Sequence, residues 1–233
     1  LFTQFYWPQW SEIKVILGLG TPIAFSLLFE VSLFAAVAII LIPFGANVVA
    51  SHQIAINFSG LVFMVPLSLA MAVTIKVGFE VGNKNLEKAK ELCRYSVILG
   101  LIIAVATAAA TLIFKTQIAA IYTSDTEVLE LAAGLMFLAA LFQFSDAIQV
   151  ISAGALRGYK DTKSILYITF FSYWVVGLSF GLILGLTDWI APASGPYGFW
   201  IGFISGLTVA AVLLAWRLKV VQNRFDQQAA LAR

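Results

Sequence analysis

Long runs of apolar residues, interrupted by short polar or charged stretches, dominate this chain of 233 residues. An α-helix needs about 20 apolar residues to cross roughly 30 Å of hydrocarbon. Runs of that length occur six times. We therefore predict an all-α integral membrane protein, built as a bundle of six transmembrane helices. The predicted spans are 15–42, 48–75, 95–114, 128–153, 164–186 and 198–216.

Two of the predicted spans contain a proline, Pro22 in the first and Pro66 in the second. Proline lacks the backbone N–H, and its ring clashes with the preceding turn, so both positions are expected to kink or locally break their helices. The connection at 186–198 contains two prolines and two glycines, and we expect it to be irregular.

The basic residues predict an orientation in the membrane. If the amino-terminal segment is cytoplasmic, 13 of the 14 Lys and Arg residues fall in cytoplasmic segments, and only Lys115 falls outside. Cytoplasmic loops carry an excess of Lys and Arg, so both ends are predicted to be cytoplasmic. The charged stretch 80–94 is expected to form a solvated helix on the membrane surface. We divide the chain into an amphipathic linker at 1–14, a six-helix membrane lobe at 15–220 and a cytoplasmic tail at 221–233.

Composition argues against several classes of function. With 61% hydrophobic and 11% charged residues, the chain does not have the composition of a soluble domain. Its net charge of +2 follows from the loop charges and requires no nucleic-acid partner. One His, one Cys and no glycine-rich nucleotide motif give no basis for an enzyme, a cofactor or a metal cluster.

Two acidic residues lie deep inside predicted spans, Glu30 in the first and Asp146 in the fourth. A charge at the centre of a membrane helix costs roughly 2.5 to 3.5 kcal/mol on insertion scales, so such residues usually face a cavity or a partner. Neither acid has an obvious Lys or Arg partner within the membrane. The sequence thus indicates a missing cation, and hence transport. The alternative is that each acid hydrogen-bonds across helices as a structural contact.

Uncharged polar residues share helix faces with these acids. Gln143, Asp146 and Gln149 lie on one face of the fourth span, because positions three apart on a helix are neighbours. The second span has a polar pair at i and i+4, and the fifth has a weaker polar stripe. We predict that these faces line one cavity. The candidate lining residues are Gln53 and Asn57 on the second span, Phe142, Gln143 and Gln149 on the fourth, and Tyr173 on the fifth.

Such a cavity suits a cation. Two nearby carboxyl groups in a medium of low dielectric constant favour binding of a proton. Carboxylate, amide and hydroxyl oxygens equally suit a monovalent metal cation such as Na⁺ at Glu30 and Asp146. Aromatic faces would add cation–π attraction for an organic cation. The choice between Na⁺ and H⁺ stays open.

With these residues the chain strongly resembles the carboxy-terminal half of NorM-type transporters of the multidrug and toxic compound extrusion (MATE) family. The similarity runs from about residue 11 to residue 220. Its most specific features are the intramembrane Glu30 and the motif SDxIQVxxxGxLRGYKDT at 145–162. Further matching stretches are 20–34, 50–78 and 198–207.

This resemblance implies a transporter of twelve helices in two six-helix lobes, of which this chain is the second. Its relatives export cationic, amphipathic drugs across the bacterial inner membrane in exchange for inward flow of Na⁺ or H⁺. The resemblance assigns cation coupling to Glu30 and Asp146, with Gln53 and Asn57 as weaker cavity-lining candidates. Some relatives have a Tyr where this chain has Phe142, which removes one oxygen ligand.

Half of a rocking pair cannot alternate access alone, so we expect the chain to need the missing first lobe. Its other expected partners are the lipid bilayer and the cationic drugs. A second function from the same superfamily is a flippase for lipid-linked precursors, which should carry basic cavity residues for the pyrophosphate; none lies at depth in the sequence. A channel or a non-transporting membrane subunit would also hold buried acids, usually alongside buried Lys or His residues.

Overall fold

The structure is a computed structural model that describes residues 9–190 and 192–231. Within that part of the chain, six helical segments are long and apolar enough to cross a membrane, which confirms the predicted fold class and the number of spans. The fifth span, Thr162–Leu186, consists of two α-helices joined by a π-helical segment. The helices are α1 (Trp10–Ile40), α2 (Ala46–Gly82), α3 (Leu86–Tyr122), α4 (Thr126–Gly158), α5 (Thr162–Phe170), the π-helical segment (Phe171–Gly177), α6 (Leu178–Leu186) and α7 (Pro196–Leu231).

The charged stretch between the second and third spans is not a separate surface helix, so that prediction is wrong. α2 continues to Gly82 and α3 begins at Leu86, which leaves only residues 83–85 as a turn. Lys90 in α3 pairs with Glu87 at 2.9 Å and with Asp226 of α7 at 2.6 Å. The charged residues therefore belong to the membrane helices themselves. The ion pair of Lys90 with Asp226 connects the beginning of α3 to the end of α7.

The segments predicted as a linker and a tail are helical where they are described. α1 begins at Trp10, and α7 continues to Leu231. Residues 1–8 of the predicted linker and 232–233 of the predicted tail lie outside the described residues. The division at 15 and 220 stays a prediction.

Both intramembrane prolines lie inside uninterrupted helices. α1 runs through Pro22 and α2 runs through Pro66, so neither proline ends or splits its helix. Near the first, Ser26 Oγ donates a hydrogen bond to the carbonyl oxygen of Pro22 at 2.6 Å. Membrane helices tolerate proline where side chains and neighbouring helices satisfy the freed backbone groups.

The irregular helix lies instead in the fifth span. Residues Phe171–Gly177 form a π-helix, a wider coil that often occurs at functional sites. From this segment, Trp174 Nε1 donates to the carbonyl oxygen of Phe29 at 3.1 Å. The bond ties the π-helical segment to the turn of α1 that immediately precedes Glu30.

α4 occupies the centre of the bundle and packs against α2, α3 and α7. Gly154 allows α2 to come close, because a Cβ atom at this position would collide with the backbone of Ala70. At the same contact, Thr74 Oγ1 donates to the carbonyl oxygen of Gly154 at 2.8 Å. Small residues that permit close backbone approach are the usual means of helix association in membranes. This arrangement places the middle of α4, with Asp146, in the interior.

The substitution Gly154→Ala should lower the free energy of unfolding by about 1 to 3 kcal/mol, because the added methyl group meets backbone that cannot rotate away. Unfolding of the detergent-solubilised chain, followed by circular dichroism, measures this change. The matched control is Gly18→Ala in α1, where no atom lies within 4 Å of the added Cβ. There the stability should stay the same or rise by up to about 1 kcal/mol. Equal effects at the two positions would contradict the close approach of α2 and α4.

Candidate cation and substrate site

Glu30 and Asp146 lie on the wall of one cavity of about 140 Å³ between α1, α2, α4 and α7. Asp146 is only 4% exposed, and Glu30 is half-buried. The structure therefore brings together two acids that are more than 100 residues apart in sequence. The rest of the wall is apolar or aromatic except for one serine. It comprises Phe34, Ile56, Ser59, Gly60, Phe63, Phe142 and Trp200.

No ion pair neutralises either acid among the described residues. The negative charge of Glu30 acts on Asp146, so two carboxylates in this cavity repel each other. The sequence suggested that no basic residue lies near them, and this needs correction for Glu30. The positive charge of Arg157, in the last turn of α4, acts on Glu30 through the interior without forming an ion pair. The cavity retains an excess of carboxyl groups over basic groups.

An aromatic wall of Phe34, Phe142 and Trp200 faces the two acids. The ring of Phe142 lies 6.4 Å from that of Phe34 and 6.1 Å from that of Trp200, between ring centroids. Trp200 is held by His52, whose Nδ1 accepts a hydrogen bond from the indole Nε1 at 3.3 Å. His52 is 1% exposed, so its environment is the core of the bundle. Aromatic faces next to carboxylates are the surroundings that an organic cation prefers.

Sequence reasoning missed Trp200 and Ser59 as cavity residues. Trp200 lies on a helix distant in sequence, and a tryptophan near a helix end is equally typical of the membrane interface. Ser59 lies two residues after Asn57, which places the two side chains roughly 200° apart around the helix. Neither member of the polar pair of α2 that the sequence emphasised, Gln53 or Asn57, belongs to the wall of this cavity.

The predicted lining residues fall into three groups. Phe142 lines the cavity and, together with Gln143, a smaller void that adjoins it at Asp146. Gln149 and Tyr173 are buried, but neither belongs to the wall of the cavity. The third group, Gln53 and Asn57, is exposed on the surface of α2. The roles of all six side chains stay predictions.

Oxygen atoms are the ligands available in this cavity. In the described part of the chain, no group of three or more His, Cys, Asp or Glu side chains could hold a metal ion. A monovalent cation there would bind the carboxylate oxygens of Glu30 and Asp146, with the hydroxyl of Ser59 on the same wall. A proton would bind either carboxyl group directly.

Comparison with known proteins gives matches along most of the chain. A family model described as MatE matches residues 22–183. The multidrug resistance protein MdtK of Yersinia pseudotuberculosis is 52% identical over 217 residues, which are 93% of this chain and 48% of MdtK. The multidrug resistance protein NorM of Aliivibrio fischeri is 52% identical over 223 residues, 96% of this chain and 48% of NorM. The chain thus spans about half the length of these relatives.

Solved structures show the same fold. A MATE protein crystallised in the bent conformation superposes with a TM-score of 0.86 at 22% identity, over 97% of this chain and 49% of that one. A multidrug resistance MATE family transporter in an outward-facing conformation gives a TM-score of 0.87 at 22% identity, over 97% and 50%. The six-helix arrangement therefore corresponds to half of each of these structures.

Replacement of Asp146 by Asn should leave the stability of the chain unchanged or raise it, because the amide removes a buried ionisable group that has no ion-pair partner. Thermal unfolding in detergent measures the difference. The comparison variant is Asp161→Asn, since Asp161 Oδ2 accepts a hydrogen bond from Arg217 Nε at 2.7 Å. That variant should lose up to about 1.5 to 3 kcal/mol, the usual value of a hydrogen bond to a charged group. A loss at Asp146 as large as at Asp161 would favour a structural contact over a binding site.

Proposed function

The chain belongs to the MatE family, and we propose that it is the carboxy-terminal half of a secondary active multidrug efflux antiporter. The whole transporter would export cationic, amphipathic drugs in exchange for Na⁺ or H⁺. The names of its relatives, multidrug resistance proteins MdtK and NorM, support a drug substrate. Membership of a transporter family also supports the expectation that the chain is not an enzyme and needs no cofactor.

The observation that carries this proposal is the shared cavity of Glu30 and Asp146, walled by aromatic rings. Antiport requires that the drug and the coupling ion do not both bind with full affinity at the same time. Two carboxyl groups with little basic compensation attract one or two positive charges, and the aromatic wall favours an organic cation over a hydrated one. Binding of the coupling ion at the carboxylates would then weaken binding of the drug, which is the physical basis of antiport.

Either coupling ion suits this cavity. A proton needs only the carboxyl groups, whereas Na⁺ needs several oxygen ligands, and Phe142 supplies none beside Asp146. We therefore propose coupling at Glu30 and Asp146 without assigning the ion, and the experiment below distinguishes the two.

The proposed partner is an amino-terminal lobe of six helices. The chain spans about half of each relative, and alternating access in transporters of repeated architecture arises when one half rocks against the other. Gln53 and Asn57 support this proposal, because polar side chains exposed on a membrane-spanning helix are unfavourable against lipid. They would instead face the other lobe.

The proposed location is a bacterial inner membrane, with both ends of the chain in the cytoplasm. The bias of Lys and Arg toward one side supports this orientation, and the bacterial relatives support the location.

The variants Glu30→Gln and Asp146→Asn test the proposed coupling in a two-lobe transporter that contains this chain. Each should reduce ion-coupled efflux of a cationic dye by at least about tenfold, because loss of about 1.4 kcal/mol of binding energy for the coupling ion already changes its affinity tenfold. Efflux is measured in proteoliposomes under an imposed Na⁺ gradient and, separately, under an imposed pH gradient without Na⁺. The gradient that drives native efflux identifies the ion.

Glu130→Gln is the matched control, because Glu130 is exposed on α4 and lies outside the cavity. It should keep native efflux under both gradients. Native rates in both Glu30→Gln and Asp146→Asn would remove the proposed coupling site.

The isolated 233 residues should not transport. Reconstituted alone in proteoliposomes, the chain should give no dye efflux above that of empty liposomes under either gradient, because one lobe cannot seal and expose the cavity in turn. Addition of an amino-terminal six-helix lobe from a relative such as MdtK should restore efflux. Gradient-driven efflux by the isolated chain would contradict the two-lobe proposal.

A further inference from the structure

A second, smaller void lies behind Asp146, between α2, α3 and α4. Its volume is about 10 Å³, which is close to the roughly 10 to 15 Å³ that one water molecule needs. Ser59, Phe63, Phe142 and Asp146 line both this void and the larger cavity, so Asp146 borders the two spaces. The void is lined in addition by Thr107 and Gln143, among others.

A hydrogen-bond chain on α3 sets the orientation of the Gln143 amide. Thr111 Oγ1 donates its only proton to the carbonyl oxygen of Thr107 at 2.7 Å. The same oxygen lies 3.1 Å from Gln143 Nε2 and must therefore accept from it. The amide nitrogen is thus committed to Thr111, and Gln143 Oε1 has to find a donor elsewhere.

Gln143 Oε1 has no partner within the described part of the chain, although the residue is only 6% exposed. A buried acceptor without a hydrogen bond costs about 1 to 3 kcal/mol. Because Gln143 lines the void, a small ligand in the void is in a position to donate to it.

Ser59 Oγ is the second buried atom without a protein partner at this void. Two other intramembrane serines bond back to their own helix: Ser68 to the carbonyl oxygen of Met64 at 2.7 Å, and Ser205 to that of Ile201 at 2.9 Å. The Ser59 hydroxyl makes no such bond, so its proton remains available to a ligand. One acceptor, one donor and a carboxyl group therefore border a space the size of one water molecule.

We propose that this void is a binding site for a single water molecule. The water donates one hydrogen bond to Gln143 Oε1 and one to the carboxyl group of Asp146, and it accepts one from the Ser59 hydroxyl. Three hydrogen bonds are typical of a buried water. The site assigns a positioning role to Thr111, which acts on the water only through its hydrogen bond with Gln143, and makes Ser59 a direct partner of the water.

The consequence for transport rests on the proposed function. Asp146 would present one side to the coupling ion and the drug in the larger cavity, and the other side to a water that they do not displace. The carboxyl group then keeps one hydrogen bond throughout the exchange of cations at its open side.

Infrared spectroscopy of the full chain in lipid nanodiscs tests the site directly. At acidic pH the carbonyl stretching band of the Asp146 carboxylic acid is identified by its loss in Asp146→Asn, and the bound water by an O–H band that shifts in H₂¹⁸O. Thr111→Val frees the amide of Gln143, and Ser59→Ala removes the donor to the water. Each variant should move the carbonyl band to higher wavenumber, because a hydrogen bond to the carbonyl is lost, and should abolish the isotope-sensitive band.

The matched controls are Ser68→Ala on α2 and Thr187→Val after α6, whose hydroxyls bond to their own helices outside the void. Both should leave the two bands unchanged. Unchanged bands in Thr111→Val and Ser59→Ala would overturn the proposal, and either variant suffices if the other does not fold. Replacement of the water band on addition of Na⁺ would also overturn it, in favour of a cation site. Because this readout needs no transport, it separates failure of the water site from failure of the proposed function.

Discussion

The close contact between α4 and its neighbours is the interaction on which the rest of the structure depends. In a bilayer, apolar side chains gain little by leaving lipid for another apolar surface, so helices associate through close backbone approach and hydrogen bonds between helices. α4 does both: Gly154 meets α2, and Ser145 shares a hydrogen bond with Thr208 of α7 at 2.8 Å. On its third side, Gln143 bonds to Thr111 of α3. These contacts surround Asp146 and determine how deeply its carboxyl group is buried.

Glu30 reaches the same interior from a different direction. α1 packs mainly on α5 and the π-helical segment, where the bond from Trp174 to the backbone of Phe29 fixes the turn before the acid. The cavity therefore lies where α1 faces the core built around α4. α1 and α2 make few contacts with each other, which leaves space beside α1. In this protein the space contains two carboxyl groups instead of a packed apolar core.

Much of the site followed from residue type alone. An acid inside an apolar run is costly enough that Glu30 and Asp146 were identifiable without coordinates, and the apolar runs predicted all six spans. The side chains that complete the wall were not identifiable. Trp200 lines the cavity because α7 packs against α4, and Ser59 lines it because of its angular position on α2. The sequence pattern of one helix does not contain this information. The sequence pattern places Arg157 in a loop, yet in the structure its Nε atom is buried and has no hydrogen-bond partner in the described part of the chain.

Hydropathy and composition determined that this chain forms six membrane helices with two unneutralised acids inside them, because the bilayer imposes helical structure and penalises buried charge regardless of which helix packs on which. Tertiary structure decided which side chains meet. The exact helix ends, the π-helical turn that anchors α1, the pairing of Glu30 with Asp146 and the void behind Asp146 all arise from contacts between helices distant in sequence. Such contacts depend on close backbone approach at a few small residues, and the hydrophobic pattern of an individual helix contains no information about its partners.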